Sequence, residues 1–150
     1  MGSVADVILR SFEIAAERCG DLTPLVYAKL FREQPEIERL FHRDISGALK
    51  GDMLGTVIES ILDFVGDRHF SYVLIQSEVM SHEGHQVTPD VFLTFFPTLA
   101  DCVRDACGDA WTSDMEAAWR EVLAALKACV EQSIEPAAAS PDRLASAAAR

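Results

Sequence analysis

Two histidines in the segment MSHEGHQVTPDVF, residues 80–92, are the first candidates for chemistry in this sequence. A neutral imidazole is a common metal ligand, and it can also exchange a proton near neutral pH. His82 and His85 enclose Glu83 and Gly84, which makes the run one residue shorter than the zinc motif H-E-x-x-H. That motif needs its histidines four apart on an uninterrupted helix. Because Gly84 intervenes, the sequence disfavours a zinc site.

The elements that must position these histidines are predicted to be helices. Apolar side chains recur every three to four residues through most of the chain, which is typical of helices with one buried face. Thr23 and Thr88 are predicted to cap helices that have a proline in the first turn, and Ser113 with Glu116 to form a capping box. The predicted helices cover about residues 4–19, 23–33, 35–41, 47–65, 70–83, 88–107 and 113–135.

Composition and charge limit the domain organisation and the partners. At 150 residues and 49% hydrophobic, the chain fits one all-α domain, residues 1–135, with a core large enough for an internal ligand pocket. The net charge of -11 disfavours nucleic acid and membrane surfaces as partners. Residues 136–150 are Ala-rich and poor in large apolar groups, so a disordered tail is predicted.

The cysteines and the N-terminal region indicate the compartment. The four cysteines contain no C-x-x-C pair, so we interpret them as reduced core residues rather than a disulfide or zinc framework. Charged residues interrupt the N-terminal region where a signal peptide would be apolar, and no apolar run of about 18 residues occurs. A cytoplasmic protein is expected.

Four stretches, taken together, resemble the bacterial single-domain haemoglobins and the globin domain of flavohaemoglobins. VYAKLFREQPEIERLF is similar to that family's second and third helices, and HEGHQVTPDVF to its proximal corner. GDAWTSDMEAAW is similar to the entry to its last helix, and LGTVIESILDFV is a weaker match to its fifth. The match covers about residues 20–133. It implies a globin fold of about seven to eight helices around a pocket for haem b.

The resemblance assigns roles to residues on both sides of the haem. His82 matches the proximal iron ligand, since it lies five residues before Val87 and ten before Phe92, as in the family. Tyr27 matches the distal tyrosine that donates a hydrogen bond to bound gas, and Phe41 the ring that packs on the porphyrin. Without the resemblance, His82 would be a solvated or helix-capping histidine, Tyr27 a core tyrosine and Phe41 a core aromatic.

The remaining distal position depends on the length of the loop between Phe41 and Met53. One deletion relative to the family places Lys50 at the distal site, with Leu54 and Ile58 below it; two deletions place Leu49 there, with Met53 and Val57. We prefer Lys50, because its distance to His82 then agrees with the family. A lysine amine can bind iron only when deprotonated, so pairing of Lys50 with a haem propionate is the simpler expectation.

Two polar partners of the family's proximal histidine are absent here. Flavohaemoglobins have a tyrosine and a glutamate at the positions that match Phe92 and Ile134. Glu131 and Glu135 are near the second position, but Glu131 lies almost one helical turn away and Glu135 points about 100° off its face. The resemblance therefore gives little support to oxygen-activating chemistry.

The leading hypothesis is a haem protein that reversibly binds a diatomic gas, O2, NO or CO, for sensing, storage or NO scavenging. The chain has no flavin- or nicotinamide-binding motif, so an NO dioxygenase would need a separate reductase. The alternative is a globin-fold signalling or interaction module that docks to a kinase or reductase, with or without haem. A carboxylate enzyme is a third and weaker hypothesis, since nothing predicts that its candidates group in a cleft: Glu59, Asp63, Asp67 and Glu78. Both a monomer and a homodimer are compatible with the sequence.

Overall fold

Seven α-helices follow one another in the computed structural model, which describes residues 2–138 and the side chains of residues 2–132. They are α1 (Val4–Cys19), α2 (Thr23–Glu33), α3 (Pro35–Glu38), α4 (Ala48–Val65), α5 (Ser71–Gly84), α6 (Pro89–Cys107) and α7 (Ser113–Ala138). Short 3-10 turns follow α3 at Arg39–Phe41 and α6 at Gly108–Ala110. No strand occurs within residues 2–138, so the all-α prediction is confirmed for this part of the chain. Of the predicted tail, residues 136–138 continue α7 and residues 139–150 lie outside the described residues.

Two helix boundaries follow directly from residue types in the sequence. Gly20 ends α1 with a positive φ of 68°, a conformation that side chains with a Cβ rarely adopt. Thr88 caps α6 as predicted, because its hydroxyl accepts a hydrogen bond from the Val91 N–H. The helix then continues through Pro97, which lies inside it. The corner between the end of α5 at Gly84 and the start of α6 at Pro89 is short, and it follows the helical turn that carries His82.

Two predicted caps are corrected. Thr23 is already the first residue of α2, and the carboxylate of Asp21 accepts both its N–H, at 2.9 Å, and its hydroxyl, at 2.7 Å. At the start of α7 the cap is Thr112, not Ser113, because the Thr112 hydroxyl accepts from the Met115 N–H at 3.1 Å. At α7 the Thr112 hydroxyl thus satisfies an N–H group that Ser113 was expected to satisfy, whereas at α2 the Asp21 carboxylate satisfies the N–H group of Thr23 itself.

The centre of the core lies where α1, α6 and α7 meet. Its fully buried side chains are mostly aliphatic, and they surround one small polar network. The Ser11 hydroxyl donates to the carbonyl of Ile8 at 2.6 Å and accepts from the indole N–H of Trp119 at 3.0 Å. The network satisfies two buried polar groups and joins α1 to α7. Three cysteines are buried in this core and Cys19 is exposed, so the prediction of four core cysteines is wrong for Cys19.

Asp63 positions the start of α5, and thus the helix that carries His82. Its carboxylate accepts N–H bonds from His69, Phe70 and Ser71, at 2.9, 3.1 and 2.8 Å. Burial acts to raise the pKa of Asp63, but these hydrogen bonds outweigh it and the pKa is well below its usual range. The charged carboxylate on α4 therefore serves as the N-terminal cap of α5.

Helix α5 is apolar on two sides. Ile75 and Val79 are buried against the core, whereas Val73 and Met80 are largely exposed. The helix packs against α4, α6 and α7 on its inner side. Even so, no helix within residues 2–138 is both long and apolar enough to cross a membrane.

Candidate functional site

His82 lies in the last turn of α5, with one ring nitrogen already occupied. Its Nδ1 is 2.7 Å from the backbone carbonyl of Glu78, and since a carbonyl can only accept, Nδ1 carries the proton. The ring of Phe92 meets the imidazole edge-on with 5.0 Å between centroids. The side chain is 23% exposed. The other nitrogen, Nε2, is therefore the one left with a lone pair for a metal or a proton donor.

His85 lies beyond the helix and does not join His82 in a metal site. Helix α5 ends at Gly84, and the backbone N–H groups of His85 and Val87 both bond to the His82 carbonyl. His85 is exposed. Among the side chains that the structure describes, no three from His, Cys, Asp and Glu group as a metal site.

Tyr27 is buried in α2 among aromatic rings, and its hydroxyl has no partner. The side chain is 3% exposed, and its ring centroid lies 5.7 Å from Phe31, 5.4 Å from Phe41 and 5.7 Å from Phe95. No described residue accepts from or donates to its oxygen. Burial raises the pKa of Tyr27, and the charge of Asp44 raises it further, so the hydroxyl remains protonated. It is a hydrogen-bond donor without an acceptor.

Helix α6 connects the imidazole with the phenol. Phe92, which contacts His82, and Phe95, which contacts Tyr27, are three residues apart and share one side of the helix.

Comparisons with protein-family models, with curated proteins and with solved structures found no match to this chain. The packing of Tyr27 and His82 against α6, through Phe95 and Phe92, is thus the main geometric basis for inferring a function.

Lys50 and Leu49 are the two candidates for the distal position. Both lie in the first turn of α4, where Asp44 holds their backbone. The Asp44 carboxylate accepts both of their backbone N–H groups at 3.1 Å, and the Lys50 ammonium lies 3.9 Å from it. Burial acts to raise the pKa of Asp44, but these donors and the ammonium outweigh it and the pKa is lowered. Leu49 is exposed and Lys50 is half-buried. The Lys50 ammonium therefore has a carboxylate partner within the protein.

Leu54 faces α1 and the turn between α1 and α2. It is 3% exposed and lines, with Phe12, Leu22 and Ile58, a cavity of about 290 Å³. Met53 precedes it and lies about 100° away around the helix axis, half-buried. Of the two alternatives for α4, the set that contains Lys50 thus has its other two members, Leu54 and Ile58, directed toward α1.

Three carboxylates that the sequence did not group line a second cavity, of about 470 Å³. Glu59, Asp63 and Asp67 surround it together with Leu62 and Phe70. Asp63 is held ionised as the cap of α5 and cannot act as a general acid near neutral pH. Neither this cavity nor the one beside Leu54 is lined by Tyr27 or His82.

Glu78 is the site residue that sequence reasoning missed. In the sequence it is only one member of a dispersed set of carboxylates, yet in the structure its Oε2 lies 3.6 Å from Nδ1 of His82. Its position four residues before His82 was a signal, because residues four apart share one face of a helix. Of the polar partners sought on the last helix, Glu131 lies 4.0 Å from Lys127, and the side chains of residues 134 and 135 lie outside those described.

Proposed function

We propose that this chain has a globin fold and binds haem b through His82, with a diatomic gas held on the side of Tyr27. The order of the seven helices supports the proposal, with a short third helix, a 3-10 turn that ends at Phe41, and a histidine in the last turn of α5 before the corner that precedes Pro89. O2, NO and CO are the candidate ligands. When bound, haem would supply an iron that binds both the imidazole of His82 and the gas.

The unpaired hydroxyl of Tyr27 is the observation that carries this proposal. A buried polar group without a partner destabilises a folded protein by about 1–3 kcal/mol, and such groups are rare in native structures. The raised pKa of Tyr27 keeps this hydroxyl a donor, so a ligand with acceptor character would satisfy it. A gas held nearby would accept this hydrogen bond and dissociate more slowly.

The environment of His82 fits an axial ligand. The Glu78 carbonyl holds the proton on Nδ1, which fixes the tautomer that leaves Nε2 free, and Phe92 limits rotation of the ring. Val87 is half-buried at the corner and anchors it through its N–H bond to the His82 carbonyl. One imidazole suffices as the protein ligand, because the porphyrin supplies the four equatorial nitrogens of the iron.

Haem uptake requires rearrangement of the side chains between Tyr27 and His82. The rings of Tyr27, Phe41 and Phe95 pack on one another, and the two cavities described above lie elsewhere. Since haem would replace these contacts with larger apolar ones, its binding should raise the melting temperature. For the distal residues on α4 we now propose the set Leu49, Met53 and Val57, because Leu54 and Ile58 are directed toward α1.

Storage, sensing and NO scavenging are all compatible with this site. Turnover as an NO dioxygenase would need a separate reductase, and a strongly acidic protein with a net charge of -11 would suit a basic docking surface on such a partner. A cytoplasmic location and a monomer or homodimer are part of the same proposal.

The visible absorption spectrum of the purified protein tests the proposal. We expect an intense absorption band at about 400 nm, typical of haem, that shifts when carbon monoxide is added to the reduced protein. A low-spin spectrum of the reduced protein before the gas is added would instead indicate an internal sixth ligand such as Lys50. A colourless protein that takes up no added haemin would contradict the proposal.

A globin-fold interaction module for a kinase or reductase is the second candidate. The exposed apolar side chains on α5, Val73 and Met80, favour it, together with the closed packing around Tyr27. Here His82→Ala separates the two candidates. The substitution should sharply lower haem content and the melting temperature of a haem protein, and change little in a module that binds no haem.

A further inference from the structure

Two groups of the same residue lie near the proton on Nδ1 of His82. The Glu78 carbonyl oxygen is 2.7 Å away, and the Glu78 carboxylate oxygen Oε2 is 3.6 Å away. Within the described residues, no other carboxylate lies within 4.0 Å of a ring nitrogen of His82. A single residue therefore places both the dipole of its backbone carbonyl and the negative charge of its side chain near this proton.

The carbonyl and the carboxylate of Glu78 have different effects on the imidazole. A carbonyl orients the ring, whereas a nearby carboxylate also attracts the proton, and both arrangements strengthen a histidine as a metal ligand. The Glu78 side chain is 41% exposed and that of His82 23%, so solvent weakens the attraction without removing it. The effect of the carboxylate should therefore be modest and measurable.

We propose that Glu78 is a positioning residue for His82: its carboxylate, added to its own carbonyl, holds the proton on Nδ1 and makes Nε2 a stronger ligand. The inference rests on the proposed function where it concerns haem. The placement of the proton is a property of the chain itself. Glu78 acts through the imidazole and does not contact the gas.

Glu78→Gln tests the inference, with Glu83→Gln as the matched control. Both substitutions remove one carboxylate from α5 and keep the shape of the side chain, but the exposed Glu83 makes no ion pair with His82. The first measurement is the ratio of the two neutral tautomers of His82 in the haem-free chain, from long-range ¹⁵N–¹H correlation spectra in mildly alkaline buffer. We expect Glu78→Gln to lower the Nδ1–H to Nε2–H ratio by about two- to fivefold, and Glu83→Gln to leave it unchanged.

The second measurement uses the haem-loaded chain. Because a weaker axial donor stabilises ferric iron less, Glu78→Gln should shift the reduction potential upward and lower the iron–imidazole stretching frequency. A merely structural role for Glu78 would change stability but neither signal. Equal shifts in both variants would identify a general charge effect and overturn the inference.

The two proposals can fail separately. If the wild-type chain takes up no haem, the proposed function is wrong, and the tautomer ratio still decides whether Glu78 holds the Nδ1 proton. If haem binds and both the tautomer ratio and the potential are the same in Glu78→Gln and the wild type, the haem proposal stands and the role of Glu78 is overturned.

Discussion

Nδ1 of His82 donates a hydrogen bond to the carbonyl of Glu78, one turn earlier in α5, at 2.7 Å. This contact commits one imidazole nitrogen to the helix and leaves the other for a ligand. His85, three residues later, is exposed and lies outside the helix. The two histidines are therefore chemically distinct despite their proximity in sequence.

His82→Ala and His85→Ala should separate these roles. Loss of the axial nitrogen should lower the haem affinity of His82→Ala by at least about tenfold, while His85→Ala keeps wild-type haem content. Haemin titration followed by absorbance measures both variants. Similar haem affinities in the two variants would show that His82 is not the ligand.

Tyr27→Phe should have opposite effects on stability and on gas binding. In the haem-free chain it removes an unpaired buried hydroxyl, so the free energy of unfolding should stay the same or rise by about 1 kcal/mol. In the haem-loaded chain it removes a donor, and we expect O2 to dissociate about tenfold faster. Urea unfolding and stopped-flow kinetics measure the two effects. A clear loss of stability in the haem-free chain would mean that the hydroxyl has a partner.

Leu54→Ala and Met53→Ala should distinguish the two alternatives for α4. Leu54 is 3% exposed and faces α1, so its truncation should lower the free energy of unfolding by about 2–5 kcal/mol. Met53→Ala should cost less stability and instead change the association rate of carbon monoxide, measured by flash photolysis. If Leu54→Ala changed the gas kinetics and Met53→Ala did not, the set with Lys50 would be the distal one.

Asp63 should make the protein sensitive to acid. Its pKa is lower in the folded chain than the value of about 3.9 for an unfolded one, so the carboxylate stabilises the fold above about pH 4 and loses this effect as the pH falls further. Asp63→Asn should lower the melting temperature by about 3–6 °C at neutral pH, and its difference from the wild type should shrink toward about pH 2.

The control for this measurement is Asp67→Asn, which removes a carboxylate that lies just after α4 and lines the same cavity. Asp67 accepts none of the hydrogen bonds that the backbone N–H groups at the start of α5 donate to Asp63. Thermal unfolding across the acid range compares the variants. A parallel pH dependence of Asp63→Asn and the wild type would contradict a capping role for the charged carboxylate.

Helix order and most helix ends could be predicted from the sequence because their causes are local. Gly20 ends α1 through a positive φ, and Thr88 with Pro89 starts α6, as the residue types indicate. At the starts of α2 and α7 the bonding oxygens belong to Asp21 and Thr112, one or two residues before the predicted Thr23 and Ser113, since several neighbouring side chains compete to supply an oxygen there. A propensity rule does not resolve that competition.

Sequence alone determined that the described chain is helical, that His82 stands near a helix end before a Pro-led helix, and that Tyr27 and Phe41 belong to aromatic segments. Only the tertiary structure decided that the Tyr27 hydroxyl lacks a partner among the described residues, that Leu54 faces α1, and that Asp67 and Phe70 complete a cavity with Glu59 and Asp63. Periodicity gives the relative angles of side chains on one helix. How each helix is rotated against its neighbours depends on packing between segments distant in sequence, and that rotation determines which side chains meet.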